Sequence, residues 1–279
     1  KISLYIHIPF CNSLCYFCGC HTSVANKYKA IENYVSLLLK EIEILSKKLE
    51  SKFTVSHIHF GGGTPSILKG TELWLIMQSI KKRFNILKDC KIAMEIDPRF
   101  YKQNLTIILN DCGFSRISIG VQDFSQDVQT LINRKQSFEI TKETINHLRE
   151  NNISNINIDL IYGLPKQTVQ TFADTLEKIR TLKPDSISTF GYAHVPWMKK
   201  HQKLIKVKPL NNEDRLKFYR LASHYFLTNG YEPFGIDHYA KKSSSIIQNL
   251  KNRKLQRNFQ GYTEDDAEVL IGIGASSIS

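Results

Sequence analysis

The chain has 279 residues, 42% hydrophobic and 23% charged, ordinary proportions for one large α/β domain or two small ones with a sizeable core. Its formal charge of +12 suits either a solvated lysine-rich surface or an anionic partner; a small polyanion fits, and no nucleic-acid motif is present. No apolar run approaches the roughly 20 residues of a membrane span and no signal peptide is visible, so the expectation is a cytoplasmic protein with reduced cysteines.

Residues 3–8 read as a buried strand that runs into the segment Pro9-Phe-Cys-Asn-Ser-Leu-Cys-Tyr-Phe-Cys-Gly-Cys20. A helix follows over 28–50, where Ile31, Tyr34, Val35, Leu38, Leu39, Ile42, Leu45 and Leu49 form one apolar stripe. The second strand, Val55–Phe60, ends in Gly61-Gly-Gly-Thr-Pro65, and a helix is expected at about 70–84. The third strand, Ile92–Ile96, stops at Pro98, before a helix at about 102–111. The fourth, Arg116–Val121, precedes helical segments near 125–133 and 138–151. The fifth is Asn155–Ile161 with a helix at about 168–181, and the sixth is Ser186–Phe190. A lysine-rich loop and a helix at about 212–229 lead into a less regular last 50 residues.

Six strand–helix alternations imply a parallel sheet with right-handed crossovers. A dinucleotide fold would place Gly-x-Gly-x-x-Gly after the first strand, where this chain has cysteines, so an incomplete parallel (β/α)6 barrel is expected. Barrel chemistry sits at the carboxyl ends of the strands. Those ends carry the cysteine loop, Gly61–Thr64, Glu95 and Asp97, Gln122 and Asp123, Asp159, and Tyr192-Ala-His194, which points to one shared pocket. The glycines let backbone approach a ligand closely. Glu95 and Asp159 can accept hydrogen bonds from hydroxyl or ammonium groups, or else pair with a nearby Arg or Lys. Arg134 either faces a carboxylate through a bidentate fork or lies on the surface. His57 and His59 share a strand face as core or rim residues, and Cys90 and Cys112 read as buried small hydrophobes.

Four of the six cysteines fall within ten residues, and Cys11, Cys15 and Cys18 are spaced C-x3-C-x2-C. A disulfide pair, structural zinc on Cys11, Cys15, Cys18 and Cys20, and an iron–sulfur cluster with one open iron all remain compatible with that spacing.

The spacing, with Phe17 before the third cysteine, resembles the signature of the radical S-adenosylmethionine (SAM) enzymes. The resemblance narrows through Tyr5-Ile-His-Ile-Pro-Phe-Cys11, His59-Phe-Gly-Gly-Gly-Thr-Pro65, Glu95-Ile-Asp-Pro-Arg99, Gly120-Val-Gln-Asp-Phe124, Asn133-Arg134, Asn157–Pro165, Tyr192-Ala-His194 and Arg257-Asn-Phe-Gln-Gly-Tyr262. In this order they resemble the oxygen-independent coproporphyrinogen III oxidase family. The likeness implies a [4Fe-4S] cluster on Cys11, Cys15 and Cys18, with Cys20 beside it but not a ligand. It implies two SAM molecules, the first near Tyr5, Gly62, Glu95 and Ile278. The second would contact Phe17, Gly63, Thr64, Gln122, Arg134, Asp159 and Ala193.

The implied reaction is radical decarboxylation of two propionates of coproporphyrinogen III to vinyl groups. An electron-donor protein is the implied partner, with no nucleic acid and no membrane span. Arg257 and nearby lysines are candidates for capturing the substrate's four carboxylates. A haem-binding chaperone of the same superfamily is the alternative, and Gly19-Cys20 with Arg257–Gly261 favours the oxidase. Residues 1–200 are expected to be the barrel core and 201–279 a continuation of the catalytic domain. Lys1 at the start, the Gly-rich apolar end and the family's longer architecture suggest truncation before a C-terminal helical domain.

Overall fold

The computed structural model describes residues 1–49 and 53–279; residue 50, the last of the expected first helix, lies outside them. The strands are β1 (Ile2–Ile8), β2 (Phe10–Cys11), β3 (Ser23–Val24), β4 (Thr54–Gly62), β5 (Asn85–Ile96), β6 (Arg116–Gln122), β7 (Asn155–Tyr162) and β8 (Ser186–Gly191). They continue as β9 (Tyr231–Pro233), β10 (His238–Lys241), β11 (Gln256–Asn258), β12 (Gly261–Thr263) and β13 (Val269–Ile273). The helices are α1 (Tyr28–Leu49), α2 (Gly70–Arg83), α3 (Leu105–Cys112), α4 (Gln126–Leu131), α5 (Phe138–Glu150), α6 (Val169–Leu182), α7 (Asn212–Thr228) and α8 (Ser245–Lys251).

One nine-stranded sheet runs in the order β13-β1-β4-β5-β6-β7-β8-β10-β9. From β13 to β8 every pairing is parallel. Strand order follows chain order from β1 to β8 without the reversal that a doubly wound sheet needs, so the crossovers wind one way around an incomplete barrel. All six expected strands are present. The third begins earlier than expected, at Asn85, because a register shift after Val55 lets its polar first half also pair with β4.

The last 50 residues are more regular than expected. Val269–Ile273 adds a seventh parallel strand beside β1, and β10 and β9 close the other edge in antiparallel fashion. Residues 201–279 therefore contribute strands to both edges of the sheet.

Strand side chains alternate between two environments. Leu4, Ile6 and Ile8, Ile58 and Phe60, Ile117, Ile119 and Val121, and Ile156, Ile158 and Leu160 are buried in the main apolar core. On α1, Ile31, Val35, Leu38 and Ile42 join that core at three- and four-residue steps. Each such side chain contributes about 1.5–3 kcal/mol when fully buried. The alternate positions, including Tyr5, His7, His59, Glu95, Arg116, Ser118, Asn157, Asp159 and Ser188, line a cavity inside the ring of strands. Local signals stop and start the helices: Ser137 caps α5, Thr168 caps α6, and Gly113 at φ +87° ends α3.

Candidate active site

The cavity has a volume of about 770 Å³. Cys11, Cys15 and Cys18 line it, and so do Tyr5, Phe17, Gly62, Gly63, Thr64, Glu95, Gln122, Arg134, Asp159, Ala193 and Ile278. These fourteen residues thus reach one space, at the carboxyl ends of the strands and along the inner wall below, whereas Asp123, His194 and Arg257 do not line it; Asp123 is fully buried and accepts from Gln167 Nε2 and Ser125 N.

The cysteine loop is clasped at its neck, where β2 pairs with β3 through Phe10–Ser23 and Cys11–Val24. The glycine loop is laced to it: Gly63 N donates to Ile8 O (2.9 Å) and Thr64 N to Phe10 O (2.8 Å). A side chain at Gly63 would lie 2.5 Å from Thr22 Oγ1 and 2.6 Å from Phe10 O; one at Gly62 would lie 2.7 Å from the His7 ring. These two glycines are therefore required by the protein's own close approach at this point. The loop is anchored further by Asn133 Nδ2 to Leu14 O (2.8 Å), Gln202 Nε2 to Phe17 O (3.0 Å) and the His201 ring to Cys18 O (2.7 Å). Phe17 itself packs against the small apolar cluster of Val128, Ile132, Ile161, Leu164, Tyr192 and Ile205.

Each of the three thiols has donors at hand. The Thr22 hydroxyl lies 3.0 Å and the Thr64 hydroxyl 3.4 Å from Cys11 Sγ. Arg99 Nη2 and Arg134 Nη1 stand 3.3 and 3.6 Å from Cys15 Sγ. Cys20 N donates to Cys18 Sγ at 3.4 Å. The Cys20 thiol beside it brings the pKa of Cys18 down to about 6 against the opposing effect of burial, and that of Cys20 moves up in turn. Burial pushes the Cys11 thiol up. All six cysteines are free. Among the described residues no three His, Cys, Asp or Glu side chains converge on one point, as a single-ion zinc site requires.

Asp97 joins the two arginines. Its carboxylate accepts from Arg99 Nε (3.0 Å) and Nη2 (2.6 Å) and from Arg134 Nη1 (3.0 Å). Burial alone would raise this acid, but Arg134 and Arg99 hold it below the usual carboxylate range. Arg134 is therefore neither a surface residue nor a bidentate fork. It is buried, meets Asp97 through one nitrogen and gives Nη2 to Gly120 O, and its Nε has no partner.

Glu95 meets His59 Nε2 at 3.2 Å, not the Arg or Lys of the alternative reading. Asp159 accepts from Ser118 Oγ and Asn157 Nδ2, both at 2.8 Å. Burial raises it to about 6, with Glu95 adding to the rise and Ser118 opposing it. Tyr5 is buried, its hydroxyl 2.9 Å from His7 Nδ1, and its ring stacks on His59. Gln122 ends β6 at φ +71°, a costly conformation for a side-chain-bearing residue and one that clusters at ligand sites.

Cys112 is buried as expected; Cys90 is only half-buried, at a polar stretch of β5. Arg99, Thr22, His7 and His59 belong to the site or its supports without having been assigned there. For Arg99 the signal was available in Asp97-Pro-Arg, a short turn that folds the guanidinium back onto the carboxylate. His57 is not in the cavity wall but lies 2.8 Å from Asp265 at the opposite end of the barrel.

Comparison with known proteins agrees with this geometry. The chain is 40% identical, over 279 residues, to oxygen-independent coproporphyrinogen III oxidase of Paracoccus denitrificans, covering 100% of this chain and 62% of that protein. It is 43% identical to the Cereibacter sphaeroides protein of the same name, again with 62% of the relative covered. The solved structure of coproporphyrinogen III oxidase from Escherichia coli, described as a radical SAM enzyme, superposes with a TM-score of 0.95 at 38% identity. That match covers 100% of this chain and 64% of the other. Native anSMEcpe with bound AdoMet shares the fold alone, with a TM-score of 0.56 over 82% of this chain at 12% identity. The chain thus spans about three fifths of the length of these oxidases. Its residues 5–179 match the family model of the radical SAM superfamily, which covers more than half of it, and the chain belongs to that superfamily.

Proposed function

We propose that this chain forms the catalytic barrel of an oxygen-independent coproporphyrinogen III oxidase, converting two propionates of coproporphyrinogen III to vinyl groups and so yielding protoporphyrinogen IX for haem synthesis. The observation that carries the reading is the single cavity shared by three cysteines and eleven other motif residues. Identity of 38–43% to proteins of that name along the whole chain supports it.

In this reading Cys11, Cys15 and Cys18 hold a [4Fe-4S] cluster. The donor set fits: three thiols at one mouth of the cavity, each with a nearby hydrogen-bond donor, as cluster sulfurs use. The unpartnered, buried Arg134 Nε is a further donor left for an anionic group. When bound, the cluster and SAM would supply reductive cleavage of SAM and a radical able to take hydrogen from the propionate β-carbon, the one bonded to the pyrrole; loss of carbon dioxide and of one electron to an electron acceptor would then leave the vinyl group.

The chain's own residues position and shield. Glu95, steadied by His59, offers an acceptor beside Tyr5, Gly62 and Ile278 for a first SAM. Asp159, steadied by Ser118 and Asn157, offers one for the second, with Phe17, Gly63, Thr64, Gln122, Arg134 and Ala193 around it. The Asp97–Arg99–Arg134 group fixes the rim next to Cys15.

An electron-donor protein and a cytoplasmic setting belong to the same proposal, as does the absence of nucleic acid from the reaction. No described helix is long and apolar enough to cross a membrane. Residues 201–279 are read as continuing the catalytic unit, ahead of a further helical domain.

The test is anaerobic incubation of the iron-loaded protein with coproporphyrinogen III, SAM and a reductant. The expected outcome is a divinyl product with two carbon dioxide molecules released per substrate. Tight haem binding by a fully loaded protein that forms no vinyl group would replace the oxidase with a chaperone.

A further inference from the structure

The cavity extends past the residues assigned to the cluster and to SAM. One wall, built by the end of β8, the turn between β9 and β10 and the β11–β12 hairpin, is aromatic. The His238 ring lies 5.6 Å from Phe190, 5.4 Å from Phe234 and 5.3 Å from Tyr262, centroid to centroid. Phe234 is buried behind this wall, whereas Phe190 keeps 44% of its surface open while lining the cavity. A large apolar ring left bare inside a barrel is a contact surface waiting for an apolar face.

The wall is held in place. Gly235 has φ +68°, and a side chain there would fall 2.0 Å from the Tyr262 ring, so only glycine lets that ring close onto the turn. Ile236 N donates to the Tyr262 hydroxyl at 3.1 Å. His238 Nδ1 donates to the Ile236 carbonyl at 2.5 Å, because a carbonyl can only accept. Burial lowers the basicity of this histidine, which favours the neutral ring. The proton on Nδ1 leaves Nε2 as an acceptor, and Nε2 has no partner among the described residues.

An acceptor set in an aromatic wall selects for an N–H donor with an apolar face. A carboxylate is itself an acceptor and gains nothing from Nε2. Two guanidiniums act on His238: Arg116, which lines the same cavity, and, more weakly, Arg257, which is exposed and lies over the Tyr262 ring at 5.2 Å, at the rim. We propose that this wall is the subsite for the tetrapyrrole body, with one pyrrole ring against Phe190 donating its N–H to His238 Nε2. The inference rests on the oxidase reading and specifies where its substrate sits.

The test is equilibrium dialysis under nitrogen against coproporphyrinogen III without SAM, bound ligand being read as coproporphyrin fluorescence after oxidation. His238→Phe keeps a ring but removes the acceptor, and Phe190→Ala removes the exposed face. Each is expected to weaken binding by about tenfold, the scale of one hydrogen bond or aromatic contact, with iron and sulfide content at the parent's value. His238→Gln, which restores an acceptor, is expected to recover most of the loss. Affinities of His238→Phe and Phe190→Ala within twofold of a parent that does convert the substrate would overturn the subsite alone. A parent that neither binds nor converts coproporphyrinogen III would remove the oxidase reading and the subsite with it.

Discussion

Asp159 and Asp265 both lie inside the ring of strands, one in the cavity wall and one beneath its floor, and their surroundings push their acidities in opposite directions. Asp265 is 7% exposed and is met by His57 Nδ1 at 2.8 Å, Ser56 Oγ at 3.2 Å, Ala267 N at 3.0 Å and the Ser3 hydroxyl. Burial opposes its ionisation, but the contact from His57, then the hydrogen bond from Ser3, carry it down to about 2. Asp159 has one hydroxyl, one amide and the weaker pull of Arg116 for company and Glu95 as a like charge, and burial takes it up to about 6. The floor gathers enough donors to make its carboxylate stabilising. The wall keeps acceptor capacity unspent, as a surface that must bind something has to.

The largest separation between these two ends is expected from cysteine substitutions. Cys18 borders the cavity mouth, while Cys90 lies near the floor, where burial and then Asp265 push its thiol up to about 11 and keep it protonated. Cys18→Ser is expected to lose nearly all bound iron and sulfide after anaerobic reconstitution, and Cys90→Ser to keep both at the parent's level. A Cys18→Ser protein that holds the parent's iron and sulfide would detach the mouth of the cavity from the cluster.

Much of this contrast could be read from residues alone, and the unread part has physical reasons. The strand ends were legible because a barrel brings them together whatever the helices between them do; Glu95, Gln122 and Asp159 needed no contact information. The cavity below them was also written in the strands. Ser3-Leu-Tyr-Ile-His-Ile8 and Arg116-Ile-Ser-Ile-Gly-Val-Gln122 alternate polar with apolar, whereas a sheet packed on both faces reads as continuous apolar runs.

Other features carried little periodic signal. Strand β9 has three residues and ends on Pro233, and β10 has four; both take their conformation from neighbours. Arg134 follows Asn133 at φ +55° in a turn, so its burial depends on Asp97 and Gly120, which are distant in the chain. Asp265 is silent in sequence for the same reason, since it lies in the loop between β12 and β13 and Ser3 and His57 reach it from two distant strands.

The next effect in size belongs to the floor. Asp265 ionises more readily in the folded protein than the ordinary 3.8 of an unfolded aspartate. Its contribution is therefore complete above about pH 5 and lost as the pH falls through 3.8 toward 2. Asp265→Asn is expected to lower stability at pH 7 by about 2 kcal/mol and to flatten the acid limb of the stability curve. Urea midpoints at pH 7 and pH 3 measure this, and equal losses at both would deny the floor its charge.

Asp159→Asn should give the smaller effect, and of opposite sign. Here the folded value lies near 6, above the unfolded 3.8, so the folded protein binds the proton more tightly. The cost of ionisation is absent below pH 3.8, grows as the pH rises toward 6, and is complete beyond it. Cavity water screens part of it, leaving a gain of about 1 kcal/mol at pH 7.5 for the neutral side chain. At pH 4 the gain should nearly vanish, because the parent is then largely protonated. Asn also supplies a carbonyl that can accept from Asn157 Nδ2 while its NH2 donates to Ser118 Oγ, so the hydrogen bonds differ less than the charge does. If Asp159→Asn instead lowered the urea midpoint equally at pH 4 and pH 7.5, the wall carboxylate would be a structural acceptor like the one beneath the floor, and the contrast between the two ends would collapse.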